Sequence, residues 1–263
     1  MREAVPASQI TELPEYDVAG PEEAPAILFV HANGWTRKMW LPQMRALAGA
    51  YRLIALDLPG HGALARARFS VDAAVRQIER VRAEQHTQRI LLVGLSLGGY
   101  VAMAYAQRYA ERLTGLVLAG CCVRFEGRIR MLTRLSAATF AVIGHGPFVS
   151  RLNRRQIERV RTQYPAELAE SQVRAGFFFA NWGRALAQMA ATDFYPMLAA
   201  FPRPVLILNG ELDTYNRQAE GACAAATPGA TIHVIERANH ISNLDCPDIF
   251  TAEIRAFAAS LNW

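Results

Sequence analysis

Six short apolar runs recur along the chain, and each is only four or five residues long. They cover residues 26–30, 53–56, 90–93, 116–119, 205–208 and 232–235. Nearly all of their residues are apolar, without the alternation of polar and apolar positions that a half-exposed strand shows. Continuous apolar runs of this length are typical of strands that a parallel sheet buries on both faces. The pattern therefore predicts a mainly parallel sheet.

Stretches with helical periodicity separate these runs. Apolar residues recur at intervals of three and four after Ser70, at Val71, Val75, Ile78 and Val81. Residues 100–109 and 250–261 are also rich in helix-forming residues. Strands and helices that alternate in this order predict an α/β fold. Residues 9–19 are expected to add an antiparallel strand at the edge of the sheet.

The region between residues 122 and 200 interrupts the alternation. It contains no strand-like run, and its apolar positions follow helical spacing. A structureless loop of this length is rare in a compact domain, so a helical insertion explains the region better. We therefore predict an α/β core formed by residues 1–121 and 201–263, with a helical cap at 122–200.

Composition excludes several classes of protein. The chain has 263 residues, of which 52% are hydrophobic, and this is enough apolar material for a large core. Its four cysteines lack zinc-ligand spacing and are too few for a disulfide scaffold, which favours reduced thiols in the cytoplasm. The start of the chain lacks the apolar segment of a signal peptide, and the longest apolar run, 135–149, is too short to span a membrane. We expect no membrane partner.

The net charge of +5 arises from one region. Residues 122–200 contain 11 Arg and 5 Asp or Glu, a local balance of +6, which leaves −1 for the rest of the chain. These arginines are interleaved with acidic and apolar residues and form no nucleic-acid-binding motif. We therefore expect no nucleic-acid partner.

A candidate nucleophile lies where the third apolar run meets a helix. The sequence Gly94-Leu95-Ser96-Leu97-Gly98-Gly99 fits the nucleophile-elbow pattern G-x-S-x-G between a strand and a helix. Such a turn is strained, and it lifts the serine hydroxyl above the sheet. Glycines two residues before and after the serine leave room for it. Ser96 is therefore the predicted nucleophile.

A serine hydroxyl needs a base, and the base needs an orienting carboxylate. His240 follows the last predicted strand, so it lies at the same carboxyl edge of the sheet as Ser96. Two carboxylates, Glu211 and Asp213, follow the preceding strand. The order Ser96, Asp213, His240 favours Asp213, and Glu211 is the local alternative.

The loop after the first apolar run is a candidate oxyanion site. Its sequence is His31-Ala32-Asn33-Gly34-Trp35. Backbone N–H groups of this loop are expected to converge with the N–H of Leu97, which follows the nucleophile.

Together with the turn at 57–62, these segments resemble the α/β-hydrolase superfamily over most of residues 25–120 and 200–263. The resemblance implies an eight-stranded, mostly parallel sheet flanked by helices, with an inserted helical cap. It also implies a triad of Ser96, Asp213 and His240, and an oxyanion hole from the backbones of Asn33 and Leu97. The Gly94–Gly99 string is similar to that of 3-oxoadipate enol-lactonases and small bacterial carboxylesterases. Ala32 departs from the family, which usually has glycine there, and Asn239 stands where glycine often precedes the base.

These features predict a serine hydrolase that cleaves a carboxylic ester or a lactone through an acyl-enzyme on Ser96. Aromatic residues of the insertion and of the oxyanion loop are candidates for the substrate pocket, namely Trp35, Phe178 and Trp182. The reaction needs no metal or organic cofactor, and the expected partner is a small-molecule ester or lactone. Carbon–carbon bond hydrolysis, acyl transfer or perhydrolysis on the same triad, and a ligand-binding relative without activity, stay open as alternatives, as does the oligomeric state.

Overall fold

The computed structural model describes residues 14–143 and 146–263. Every predicted apolar run forms a strand, and the strands are β1 (Tyr16–Ala19), β2 (Ala26–Val30), β3 (Arg52–Leu56), β4 (Ile90–Leu95), β5 (Leu113–Ala119), β6 (Val205–Gly210) and β7 (Ala230–Ile235). They form one sheet in the order β1-β3-β2-β4-β5-β6-β7. Strand β1 pairs antiparallel with β3, and the other strands pair parallel. The predicted mostly parallel sheet is confirmed.

The number of strands in the described part of the chain is one fewer than expected. The described residues form seven strands, whereas the family resemblance implies eight. Each of the six apolar runs supplies one parallel strand, and β1 supplies only a four-residue edge strand. Gly20, with a φ of +83°, and Pro21 end β1, so only a turn separates it from β2. The edge strand predicted at 9–19 is present at 16–19, and residues 9–13 lie outside the described residues.

Helices cover both faces of the sheet. Their bounds are α1 (Leu41–Leu47), α2 (Val71–Glu84), α3 (Leu97–Tyr109), α4 (Gly127–Ile143), α5 (Pro147–Gln163), α6 (Ala166–Ala175), α7 (Trp182–Ala191), α8 (Tyr195–Ala199), α9 (Thr214–Ala225), α10 (Ser242–Asp245) and α11 (Pro247–Ala259). Successive residues of a strand point to opposite faces. Leu28 of β2 therefore packs with α2 and α3, while its neighbour Phe29 packs with α1 and α11.

The described residues between β5 and β6 form helices joined by loops and contain no strand. These helices are α4 to α8, which agrees with the helical periodicity of the sequence. Helix α4 packs closely on α7, because a Cβ atom at Gly183 would lie 2.7 Å from the carbonyl oxygen of Ala137. The Phe140 ring of α4 stacks on Trp182 of α7 at a centroid distance of 6.2 Å.

Ser96 occupies the tight turn between β4 and α3. Its φ is +54° and its ψ is −116°, a conformation that non-glycine residues rarely adopt. A Cβ atom at Gly94 would lie 2.4 Å from the Gly98 carbonyl oxygen, and one at Gly98 would lie 2.2 Å from the Val30 carbonyl oxygen. Both positions therefore require glycine, as the motif predicts. The turn places Ser96 beside the carboxyl end of β2.

We predict that Gly98→Ala lowers the free energy of unfolding by about 2 kcal/mol, because its methyl group must displace the β2 backbone. Urea denaturation measures this change. Gly221→Ala is the matched control: its Cβ atom meets no atom within 4 Å, and alanine in the interior of α9 should stabilise the protein by about 0.5 kcal/mol or more. A Gly98→Ala variant as stable as the wild type would contradict the packing described for the turn.

Candidate active site

The structure brings Ser96, His240 and Asp213 into one hydrogen-bonded chain. The Nε2 atom of His240 lies 3.0 Å from Ser96 Oγ, and its Nδ1 atom lies 2.7 Å from Asp213 Oδ2. The three residues follow the carboxyl ends of β4, β6 and β7, so the parallel sheet brings them to one edge. An ionised carboxylate can only accept hydrogen bonds, so Nδ1 carries the proton toward Asp213. Nε2 is then free to accept the Ser96 proton.

Asp213 is held as a carboxylate. It is buried and begins helix α9, and its Oδ2 atom also accepts a hydrogen bond of 2.9 Å from the Asn216 amide. Burial alone would raise the pKa of Asp213. The hydrogen bond and charge of His240, together with Asn216, outweigh burial and lower that pKa. Asn216 in turn accepts a hydrogen bond from the N–H of Cys122, which ties this carboxylate to the end of β5.

Glu211, the alternative carboxylate, lies elsewhere. Its Oε2 atom accepts a hydrogen bond of 2.8 Å from the backbone N–H of Arg237, and the residue is exposed. His240 therefore makes its carboxylate contact with Asp213 and not with Glu211.

The loop after β2 is fixed by two buried histidines. His31 Nε2 accepts a hydrogen bond from the Leu58 N–H, and His61 Nε2 accepts one from the Gly34 N–H at 3.1 Å. Each ring donates through Nδ1 to a carbonyl oxygen, that of Ala32 or of Pro59. Both imidazoles therefore serve as neutral links between this loop and the 57–62 turn.

The backbone N–H groups of Asn33 and Leu97 are two unused hydrogen-bond donors near Ser96. Leu97 is the first residue of α3, where a helix leaves its N–H without an internal partner. Asn33 is in the loop that His61 holds. In the part of the chain that the structure describes, neither backbone N–H donates a hydrogen bond to another residue. Both groups are thus available to a bound oxyanion.

Ala32 does not strain this loop, although the family usually has glycine at this position. Among the described non-glycine residues only His86, Ser96 and Arg237 have positive φ, so Ala32 keeps an ordinary conformation. The left-handed turn falls instead at Gly34, with a φ of +77°. A Cβ atom at Gly34 would lie 3.0 Å from the Trp182 ring.

A cavity of about 250 Å³ lies against His240. One wall is aromatic and is formed by Trp35, Phe179 and Trp182. The rest of the wall comes from α5, from the loop after it and from the segment around His240, with Gln156, Arg159, Tyr164, Asn239, Ile241 and Asp245. The structure therefore places the predicted pocket residues Trp35 and Trp182 on this cavity.

Phe178, the third predicted pocket residue, does not line the cavity. Its ring packs against His61 at a centroid distance of 6.0 Å, and its N–H donates to the Gly34 carbonyl oxygen. The next residue, Phe179, lines the cavity instead. Gly176, with a φ of +94°, ends α6 and sets the direction of this aromatic segment. The sequence alone did not predict this backbone turn.

Sequence reasoning also missed the support of the His240 loop. Asp245 accepts hydrogen bonds from the Asn239 N–H at 2.9 Å and from the Tyr164 hydroxyl at 3.1 Å. Asn239 accepts one from the His240 N–H at 2.8 Å. The signal available in the sequence was an acidic residue five positions after the histidine, at the start of a helix.

Within residues 14–143 and 146–263, no group of three or more His, Cys, Asp or Glu side chains is arranged to hold a metal ion. None of the helices described is both long and apolar enough to cross a bilayer.

The model of one protein family, the alpha/beta hydrolase family, matches residues 27–253. This match spans the parallel strands of the sheet, the elbow turn and all three hydrogen-bonded residues. The chain belongs to the alpha/beta hydrolase family.

Relatives of this alpha/beta hydrolase have several activities. It is 23% identical to 3-oxoadipate enol-lactonase 1 of Acinetobacter baylyi, over 93% of this chain and 92% of that protein. It is 31% identical to 2-succinyl-6-hydroxy-2,4-cyclohexadiene-1-carboxylate synthase of Salmonella schwarzengrund, over 87% and 91%. Among solved structures, a thermophilic esterase from Thermogutta terrifontis matches with a TM-score of 0.74 and 25% identity, over 93% of this chain and 92% of that chain.

The two buried histidines predict how the stability of this hydrolase depends on pH. Burial lowers the pKa of His31 from 6.5 to about 4; burial and the nearby His31 lower that of His61 to about 3. The unfolded chain therefore binds more protons below pH 6.5, so stability is full above this value and is lost as the pH falls. Between about pH 7 and pH 5 we expect a loss of about 2 kcal/mol per histidine.

Urea denaturation at a series of pH values measures this loss. His31→Gln should flatten the profile, and the matched control His86→Gln, at an exposed position, should leave it unchanged. Equal stability of the wild type across this range would show that the two imidazoles are not buried as neutral links.

Proposed function

We propose that this alpha/beta hydrolase cleaves a carboxylic ester or a lactone through an acyl-enzyme on Ser96. The observation that carries the proposal is the position of His240, whose ring lies within hydrogen-bond distance of both Ser96 and Asp213. A serine so placed can lose its proton to the imidazole as it attacks, and the carboxylate stabilises the charged ring that results. The named relatives include a lactonase and an esterase, which supports this class of substrate.

In the proposed mechanism, Ser96 Oγ attacks the acyl carbon while His240 Nε2 takes its proton. The carbonyl oxygen becomes negative and accepts hydrogen bonds from the N–H groups of Asn33 and Leu97. Donors of this kind each contribute about 3 kcal/mol to stabilising the transition state. His240 then gives the proton to the leaving alkoxide oxygen. In the second half, His240 deprotonates a water molecule, which releases the carboxylic acid and restores Ser96.

The cavity supports a small substrate with one apolar end. Its volume of about 250 Å³ is below the range typical of pockets for drug-sized ligands, and its aromatic wall suits a short acyl chain. Five of the ten residues that line it belong to the helical insertion, namely Gln156, Arg159, Tyr164, Phe179 and Trp182. We therefore propose that residues 122–200 form a cap that selects the substrate, over a core of residues 1–121 and 201–263. In this proposal, the aromatic wall contacts the acyl group of the substrate, and the other wall contacts its leaving group.

A second candidate is a different reaction on the same three residues. The relative from Salmonella is a synthase and is 31% identical over most of both chains, so identity at this level does not separate hydrolysis from other chemistry. This reaction would be either the cleavage of a carbon–carbon bond or the transfer of an acyl group to an acceptor other than water. Product analysis distinguishes them, because only ester hydrolysis yields a carboxylic acid and an alcohol, which are joined in one hydroxy acid when the substrate is a lactone.

We predict that Ser96→Ala abolishes hydrolysis of p-nitrophenyl butyrate, with a fall in kcat of about 10⁴-fold or more. The loss of the hydroxyl removes the attacking atom, while the small side chain keeps the turn intact. Release of p-nitrophenol measures the rate. Ser260→Ala, at an exposed position after α11, should retain the wild-type rate. Equal rates in the wild type and in Ser96→Ala would contradict the proposed nucleophile.

We also predict different effects for the two neighbouring carboxylates. Asp213→Asn should lower kcat by about 10⁴-fold, because an amide favours the wrong tautomer of His240 and cannot stabilise its charged form. Glu211→Gln, the matched control in the same loop, should change kcat by less than about twofold, since the Glu211 carboxylate is exposed and accepts its hydrogen bond from the Arg237 backbone. The reverse result would assign the orienting acid to Glu211.

A further inference from the structure

Helix α4 exposes one continuous apolar face. Five large apolar side chains of this helix are 46% to 82% exposed, namely Ile129, Met131, Leu132, Leu135 and Val142. Met131, Leu135 and Val142 recur at helical spacing and lie on one side of the helix. Of the described residues of α4, only Ala137 is buried. Leu132 flanks these three residues, whereas Ile129 lies toward the Phe140 side of the helix. We refer to Met131, Leu132, Leu135 and Val142 as the α4 face.

Such a face is unusual for the surface of a folded chain. Single exposed apolar residues are common, but a contiguous patch of large ones marks a surface that another molecule covers. The opposite side of α4 packs on α7, where Phe140 stacks on the cavity residue Trp182. The helix is therefore held by its inner side, and the side chains of the α4 face are more than half exposed.

The charged residues around the α4 face indicate which kind of molecule binds to it. The 31 residues from 127 to 157 contain no Asp or Glu and six arginines, namely Arg128, Arg130, Arg134, Arg151, Arg154 and Arg155. All six are exposed, and in the described ranges none of them forms an ion pair. On α5, Phe148, Arg151 and Arg155 share one side of the helix and repeat the combination of apolar and basic residues.

We propose that the α4 face binds the surface of a lipid bilayer that contains anionic lipids. A helix with large apolar residues on one side and arginines beside them is the pattern that lies in the headgroup region. The apolar side chains enter the boundary between headgroups and acyl chains, and the arginines meet anionic headgroups. This mode needs no membrane-spanning helix. The sequence-based expectation of no membrane partner rested on the absence of such a helix, and this proposal revises it.

The same charges argue against a second copy of the chain. A symmetric contact through the α4 face would bring Arg128 and the other arginines of α4 toward the same arginines of the second copy, and residues 127–157 supply no carboxylate to pair with them. An acidic protein would satisfy the arginines. The convex row of long apolar side chains fits the fluid interior of a bilayer better, because a bilayer needs no matching groove.

Vesicle co-sedimentation of the full chain tests the proposal. One set of vesicles contains phosphatidylcholine alone, and the other contains phosphatidylcholine and phosphatidylglycerol in equal parts. We expect the wild type to bind the anionic vesicles about tenfold more tightly than the neutral ones, and to lose most of this difference at about 0.5 M salt. Wild-type protein that stays in the supernatant with anionic vesicles would overturn the proposal.

Three variants assign the binding to its residues. Leu135→Asp/Val142→Asp should reduce vesicle binding by about tenfold or more, and Arg128→Gln/Arg134→Gln should remove much of the preference for anionic lipid. Ile249→Asp is the matched control, because Ile249 is 42% exposed on the distant helix α11 and should not affect binding. Hydrolysis of p-nitrophenyl butyrate and thermal melting report whether each variant is folded.

The other possible occupants would give different results. A wild-type dimer in light scattering that Leu135→Asp/Val142→Asp converts to a monomer would assign the face to a second copy. Binding to polyglutamate without binding to anionic vesicles would assign it to an acidic protein surface. The inference does not depend on the proposed hydrolysis, since vesicle binding is measured without turnover.

Discussion

The close approach of three backbone segments around Ser96 constrains the rest of the site. The end of β2, the end of β4 and the start of α3 meet so tightly that Gly94 and Gly98 have no room for a Cβ atom. This contact holds Ser96 at a φ of +54° and fixes the loop after β2 relative to the start of α3. Ser96, the proposed nucleophile, and the two free N–H groups of Asn33 and Leu97 are therefore positioned by the same packing. A strained residue is kept because the surrounding core determines its conformation.

His240 and Asp213 depend on a more distant feature, which is the parallel sheet. The two residues are 27 positions apart in the sequence, and His240 is 144 positions from Ser96. The three residues lie close together because each follows the end of a parallel strand, and parallel strands end at the same edge of the sheet. This rule made the site predictable from the sequence, because the strands were recognisable as apolar runs. The Ser96 turn was predictable for a different reason, since its glycines form the short motif G-x-S-x-G, although the contact that requires Gly98 comes from Val30 on strand β2.

The parts that the sequence did not predict depend on backbone turns and on packing between distant segments. Phe178 and Phe179 are adjacent aromatic residues, and the turn at Gly176 decides which of them reaches the cavity. The support that Asp245 and Tyr164 give to the His240 loop joins the helical insertion to the core across 81 positions. The strand count was taken from the family resemblance and not from the chain, whose apolar runs and edge strand account for the seven strands described. The exposure of the α4 face is likewise a property of packing, since helical periodicity does not tell which side of a helix is covered.

Active-site labelling tests the central claim of this account most directly. Diethyl p-nitrophenyl phosphate transfers a diethylphosphoryl group to a serine that an adjacent imidazole activates. Mass spectrometry of the folded protein, followed by peptide sequencing, locates the group. The account predicts one diethylphosphoryl group for each chain, attached to Ser96, and no label on Ser96→Ala. A folded wild-type protein that stays unlabelled, or one that carries the label on another residue, would contradict it.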